Sequence, residues 1–130
     1  MGKMMRMRFN DVVRLPEFDR DLKKLLKRYR TLGSDLEILV NTAVFLFHKV
    51  DPDYPHVSRI DDLGELRFPV YKVRRFACRS MKGKGGNTGL RLIYAYDAVA
   101  DRVHLIEIYK KSDKGVEDRK RILKHLRIDE

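Results

Sequence analysis

Between Tyr71 and Arg91 the sequence carries Lys72, Arg74, Arg75, Arg79, Lys82, Lys84 and Arg91, and not one acidic residue. Alternate residues of a strand share a face, so Lys72, Arg74 and Phe76 fall on one side of a strand here, and Tyr71, Val73 and Arg75 on the other. Two cations spaced in this way stand about 7 Å apart, a fair match to successive phosphates of a nucleic acid. The connection Met81-Lys82-Gly83-Lys84-Gly85-Gly86-Asn87-Thr88-Gly89 is rich enough in glycine to approach a ligand closely and offer N–H groups to phosphate. Such residues can bind a polyanion and neutralise charge growing on a phosphoryl group. The plain alternative is a solvated sheet face with a loose hairpin loop. Gly83-Lys84-Gly85-Gly86 lacks the spacing and the Lys-Ser/Thr ending of a Walker loop.

Other reactive groups are sparse. His48 and His56 flank Asp51 and Asp53 without a metal-ligand spacing, so neither a metal nor a cofactor is expected. Imidazole titrates near neutrality, but His104 lies among Val103, Leu105 and Ile106, which points to a structural role, and His125 falls on the surface of a last helix. The sole cysteine, Cys78, leaves no internal disulfide and reads as a small strand residue in a reducing compartment.

The elements that must position these groups follow from hydrophobic spacing. Met5 to Val13 alternates as a first strand. Pro16 can open a helix, and Phe18, Leu22, Leu25, Leu26 and Tyr29 recur at helical spacing over Glu17 to Arg30. Gly33 breaks it, and Ser34 caps a second helix with the stripe Leu36, Leu39, Val40, Ala43, Val44 and Phe47. So short a turn makes the two an antiparallel hairpin. Asp51 to Phe68, with Pro52, Pro55 and Gly64, reads as an acidic loop. Strands are expected at Val70 to Cys78, Leu90 to Asp97 and Arg102 to Tyr109, most simply as an antiparallel meander. Val116, Ile122, Leu123 and Leu126 mark a final helix. The expected fold is a small α+β domain: an antiparallel sheet with an N-terminal α-hairpin packed on it and a C-terminal helix.

The 130 residues suit a single domain spanning 1–130, and at 43% hydrophobic the chain can build a core. Lys and Arg number 29 against 19 Asp and Glu, a net charge of +10 that favours a polyanionic partner through counterion release. No stretch of Met1 to Phe9 has the apolar length of a signal peptide, and the run Thr42 to Phe47 is too short to span a membrane. A soluble, cytoplasmic protein is expected. With 9% aromatic residues and no Trp, a multi-base stacking platform is not.

Three strings carry a family resemblance: Tyr71-Lys72-Val73-Arg74, Gly89-Leu90-Arg91-Leu92-Ile93-Tyr94 and Ile108-Tyr109-Lys110-Lys111-Ser112. With the amphipathic Phe18 to Tyr29 helix and the order of elements, they resemble bacterial toxins of the RelE/ParE superfamily, in the RelE/HigB-like branch, over Leu15 to Leu126. The resemblance implies a RelE-like fold and a metal-independent endoribonuclease, an mRNA interferase that cuts messenger RNA in the ribosomal A site. In such toxins the RNA 2′-OH attacks the adjacent phosphate. It further implies catalytic positions at Lys72 (base or phosphate contact), Arg74 and Arg91 (phosphate) and Lys111 (leaving group, with Lys110 one residue earlier). Arg75, Arg79, Lys82, Lys84 and Lys110 would bind RNA. The implied partners are the ribosome, its mRNA and a cognate antitoxin protein. Some relatives place a Tyr in the C-terminal segment, and this chain has none after Tyr109. A ParE-like inhibitor of DNA gyrase and an inactive RNA- or protein-binding relative are therefore the alternatives.

Overall fold

Pro16 starts the first helix because its missing N–H would be unpaired in the first turn anyway. Helix α1 spans Pro16–Leu26 in this computed structural model, which describes residues 8–128. The part of the expected first strand before residue 8 lies outside the described residues. α1 buries Phe18, Leu22 and Leu25, one helical stripe. It ends earlier than the spacing predicts, because Arg28 N and Tyr29 N both bond to Leu25 O and the last turn tightens. Helix α2, Leu32–Leu39, starts before the expected cap: Ser34 Oγ donates to Thr31 O at 3.0 Å from within the first turn. α2 continues through a π-helical turn, Val40–Val44, into α3, Phe45–Lys49.

The sheet holds β1 (Asp11–Arg14), β2 (Val57–Arg59), β3 (Val70–Val73), β4 (Leu90–Asp97) and β5 (Arg102–Lys110) in the order β1-β5-β4-β3-β2. The antiparallel meander β3-β4-β5 is present. β1 joins the edge of β5 in parallel, Asp11 beside Arg102 and Arg14 beside Leu105, so the sheet as a whole is mixed. β2 lies inside the stretch expected to be loop. It covers the outer edge of β3, where Val57, 4% exposed, stands opposite Val73.

β3 stops at Val73 instead of reaching Cys78. Beyond it Phe76 and Cys78 leave the sheet and bury under the helical hairpin. Ser80 and Thr31 exchange bonds of 2.9 Å, each backbone N–H to the other's hydroxyl, and Arg79 Nε pairs with Asp35 Oδ1 at 2.8 Å. These ties to α2 outweigh continued strand pairing.

Three layers result. The hairpin packs on the sheet face bearing Val73, Leu90, Leu92, Tyr94, Val103 and Leu105. Helix α4, Arg119–Leu126, packs Ile122 and Leu126 on the other face, against Val70, Ile93, Ala95, Ile106 and Tyr109. Asp118 caps α4 by accepting from Arg121 N at 3.0 Å. Val116, expected on the apolar stripe, precedes the helix and is 55% exposed. Among the described residues no helix is long and apolar enough to cross a membrane.

Candidate nucleic-acid interface

Strand register settles which cations meet. Lys72 stands opposite Ile93, and Arg91 stands opposite Tyr109. Ile93 and Tyr109 pack on the α4 side, so alternation puts Lys72 and Arg91 on that side too. Arg91 Nη1 donates to the carbonyls of Arg74 at 3.0 Å and Leu90 at 3.2 Å. The Arg74 guanidinium donates to the Ser58 hydroxyl, and Ser58 is the β2 neighbour of Lys72. Lys72, Arg74 and Arg91 thus gather on one face, at its β2–β3–β4 side. Phe76, expected to share that face, turns into the hairpin-side core because the strand has already ended.

Tyr109 completes the cluster from β5. Burial pushes its phenol up to about 12; Glu117 and Glu107 push the same way, and Arg91 and Arg74 oppose them. At neutral pH its hydroxyl is a proton donor, held 6% exposed beneath the cations.

Two carboxylates lie among these groups. Glu117 has a side chain only 4% exposed, with its Oε1 2.5 Å from Lys72 Nζ and its Oε2 3.3 Å from Arg119 Nε. Oε1 is buried and makes no hydrogen bond of good geometry, so its compensation is by charge alone. Burial raises the Glu117 carboxyl's pKa, but Lys72, its own backbone and Arg119 together bring it below the usual value. Glu107 is 2% exposed, pairs with Lys114 and accepts from Asp118 N at 2.7 Å. Sequence reasoning missed both. Glu107 left a signal, an acid inside Leu105-Ile106-Glu107-Ile108; Glu117, in an irregular charged stretch, left none.

The remaining expected residues disperse. Lys111 is exposed just past β5, its N–H bonded to Gly89 O at 2.7 Å. Lys110 lines an open cleft of about 360 Å³ against α1, with Lys24, Arg28 and Lys114. Arg75 lies over Gly86, where a Cβ would stand 2.4 Å from its Cγ. Arg79 is held by the buried Asp35. Lys82 and Lys84 are exposed in the glycine-rich connection, with Gly83 and Gly85 at φ +78° and +57°, backbone that favours glycine.

Cys78 is buried and free, outside any strand. On the hairpin side His48 Nε2 lies 2.7 Å from Tyr94 OH, with its ring against Tyr96 at 4.2 Å and Tyr71 at 4.7 Å. Burial, reinforced by Lys49, lowers the His48 imidazole to about 4. His104 stacks on Phe68 at 5.0 Å.

Comparison with protein-family models, with curated proteins and with solved structures finds no match to this chain.

Proposed function

We propose that the protein is a RelE-like toxin of a toxin–antitoxin pair, a metal-independent endoribonuclease that cleaves messenger RNA on the ribosome. One observation carries this reading: strand register gathers Lys72, Arg74 and Arg91 on a single sheet face beside Tyr109. A phosphodiester laid there meets cations that neutralise the charge its equatorial oxygens gain as the 2′-OH attacks. Arg91 suits this role best, because its bonds to two carbonyls hold the guanidinium in place. Arg74 supports the phosphate, while Lys111, outside the cluster just past β5, keeps a leaving-group role only through the family resemblance. Lys72 fits a phosphate contact better than a base, since an ammonium paired with Glu117 has no lone pair to take a proton. The antitoxin would cover this basic face by charge complementarity.

The test is cleavage of a messenger RNA on programmed ribosomes, with ends mapped by primer extension. Wild type should cut at A-site codons, and a folded Arg91→Ala variant should cut at least about a hundredfold more slowly. No cleavage by folded wild type overturns the reading. The Lys72–Glu117 pair, which removes one candidate base, favours a ParE-like inhibitor as the second reading, for which gyrase supercoiling in the presence of the protein is the assay.

A further inference from the structure

The segment from Lys111 to Val116 is exposed at every residue and leads without regular structure into α4. The next residue, Glu117, turns inward and puts its carboxylate between Lys72 and Arg119. Two oxygens of one negative group, each facing a cation at 2.5 Å and 3.3 Å, form the arrangement that a phosphate would make with the same side chains.

We propose that Glu117 is an internal phosphate mimic occupying an anion site built from Lys72 and Arg119, and that an RNA phosphodiester must displace it to engage Lys72. This rests on the RNA-binding reading above and specifies how that face is regulated. Two features make the carboxylate displaceable. Glu117 Oε1 makes no hydrogen bond of good geometry, so the carboxylate is held by the charges of Lys72 and Arg119, which a phosphate on the same two cations would satisfy in its place. The backbone beyond it is anchored separately, by Asp118 N on Glu107 and by the Asp118 cap of α4, so the side chain can swing outward while α4 stays docked. On the other side Gly115 has open space around it, with nothing within 4 Å of a built Cβ.

The consequence is measurable in salt dependence. In the wild type the carboxylate displaced from Lys72 takes up a cation from solution, which offsets the cation the RNA releases when its phosphate meets that lysine. Neutralising Glu117 removes that uptake, so the cation released from the RNA phosphate counts in full and the slope of log K against log salt should steepen by about 0.7.

The experiment is titration of the full chain with a short single-stranded RNA at several salt concentrations, for wild type, Glu117→Gln, Lys72→Ala and the double variant, with the fold of each checked by circular dichroism. Glu117→Gln should bind about tenfold tighter at low salt with the steeper slope, and in the Lys72→Ala background the gain should vanish. Glu117→Asp, which keeps the charge on a shorter arm, should fall between and serves if the Gln variant does not fold. RNA binding by wild type with equal or weaker binding by folded Glu117→Gln overturns the mimic and leaves the RNA reading standing. No RNA bound by any variant overturns the mimic, while the RNA reading itself stands or falls on cleavage by folded wild type on programmed ribosomes.

Discussion

Arg91 and Tyr109 stand opposite each other across the β4–β5 ladder, the cation reaching the Arg74 carbonyl and the phenol sealed to 6% exposure. The pairing divides their roles: Arg91 is placed to touch a phosphate, while Tyr109 is chiefly part of the floor under it. Tyr109→Phe should therefore slow cleavage by less than about tenfold, against about a hundredfold or more for a lost charge donor. Tyr109→Ala should lower stability by about 3–5 kcal/mol through the cavity it leaves. Cleavage rates and urea unfolding of the two variants check both statements, and a hundredfold loss in Tyr109→Phe would make the hydroxyl a participant.

Arg79 lies in the basic segment, yet its guanidinium is committed to Asp35, which is 4% exposed and also bonded by Thr31 Oγ1 at 2.6 Å and by Arg79 N at 3.1 Å. Burial raises the Asp35 carboxyl's pKa, and Thr31, Arg79 and Cys78 outweigh it to leave the group below its usual value. Arg79→Ala removes one partner of a buried carboxylate while two others remain, so the loss should be about 1–3 kcal/mol. RNA affinity should change less for Arg79→Ala than for Arg91→Ala. Denaturant unfolding alongside RNA titration separates the structural part from the binding part.

His48 should make the fold acid-sensitive above the carboxylate range. Its imidazole has an ordinary value of 6.5 and sits at about 4 in the folded protein because burial disfavours the cation. Below pH 6.5 the unfolded chain takes up a proton that the folded chain refuses, so stability falls as pH drops from 6.5 toward 4. His48→Phe should flatten that part of the stability curve. At pH 7 it should cost about 1–3 kcal/mol, since Tyr94 OH loses its partner. Unfolding free energies at several pH values decide it.

Glu17 governs a lower window. The His125 hydrogen bond comes first, then its own backbone N–H and Lys124, and together they hold its carboxyl at about 2 against an ordinary 4.5. The folded form releases this proton more readily, so the stabilisation is fully present above pH 4.5 and is lost as pH falls to about 2. Glu17→Gln should remove that acid limb while lowering neutral-pH stability by no more than about 1 kcal/mol, as for partly exposed pairs. Acid titration of both proteins by circular dichroism tests it.

What the sequence revealed depended on whether a signal was local. The stripe Phe18, Leu22, Leu25 located α1, and the apolar runs at Leu90 to Asp97 and Arg102 to Tyr109 located β4 and β5 within a residue. β2 was invisible because three residues in a proline-containing acidic stretch become a strand only when an edge is there to receive them. The end of β3 at Val73 was hidden for a similar reason: Asp35 and Thr31, 44 and 49 residues earlier, draw Arg79 and Ser80 toward α2. At the basic face, Lys72, Arg74 and Arg91 were legible as residue types. Their convergence waited on register, and Glu117 and Glu107 among them depended on tertiary packing that no spacing encodes.

The parallel pairing of β1 with β5 joins residues about 91 positions apart, as in the Asp11–Arg102 pair. During synthesis, β1 and the helical hairpin leave the ribosome well before the strand that will receive them. Until β5 follows, the apolar side of that hairpin has no sheet to rest on. Closing so long a stretch of chain is slow, and a half-made chain exposes an aggregation-prone surface meanwhile. The N-terminal strand is thus a late clasp, and truncated translation products ending before β5 should be the form of this protein that needs chaperones most.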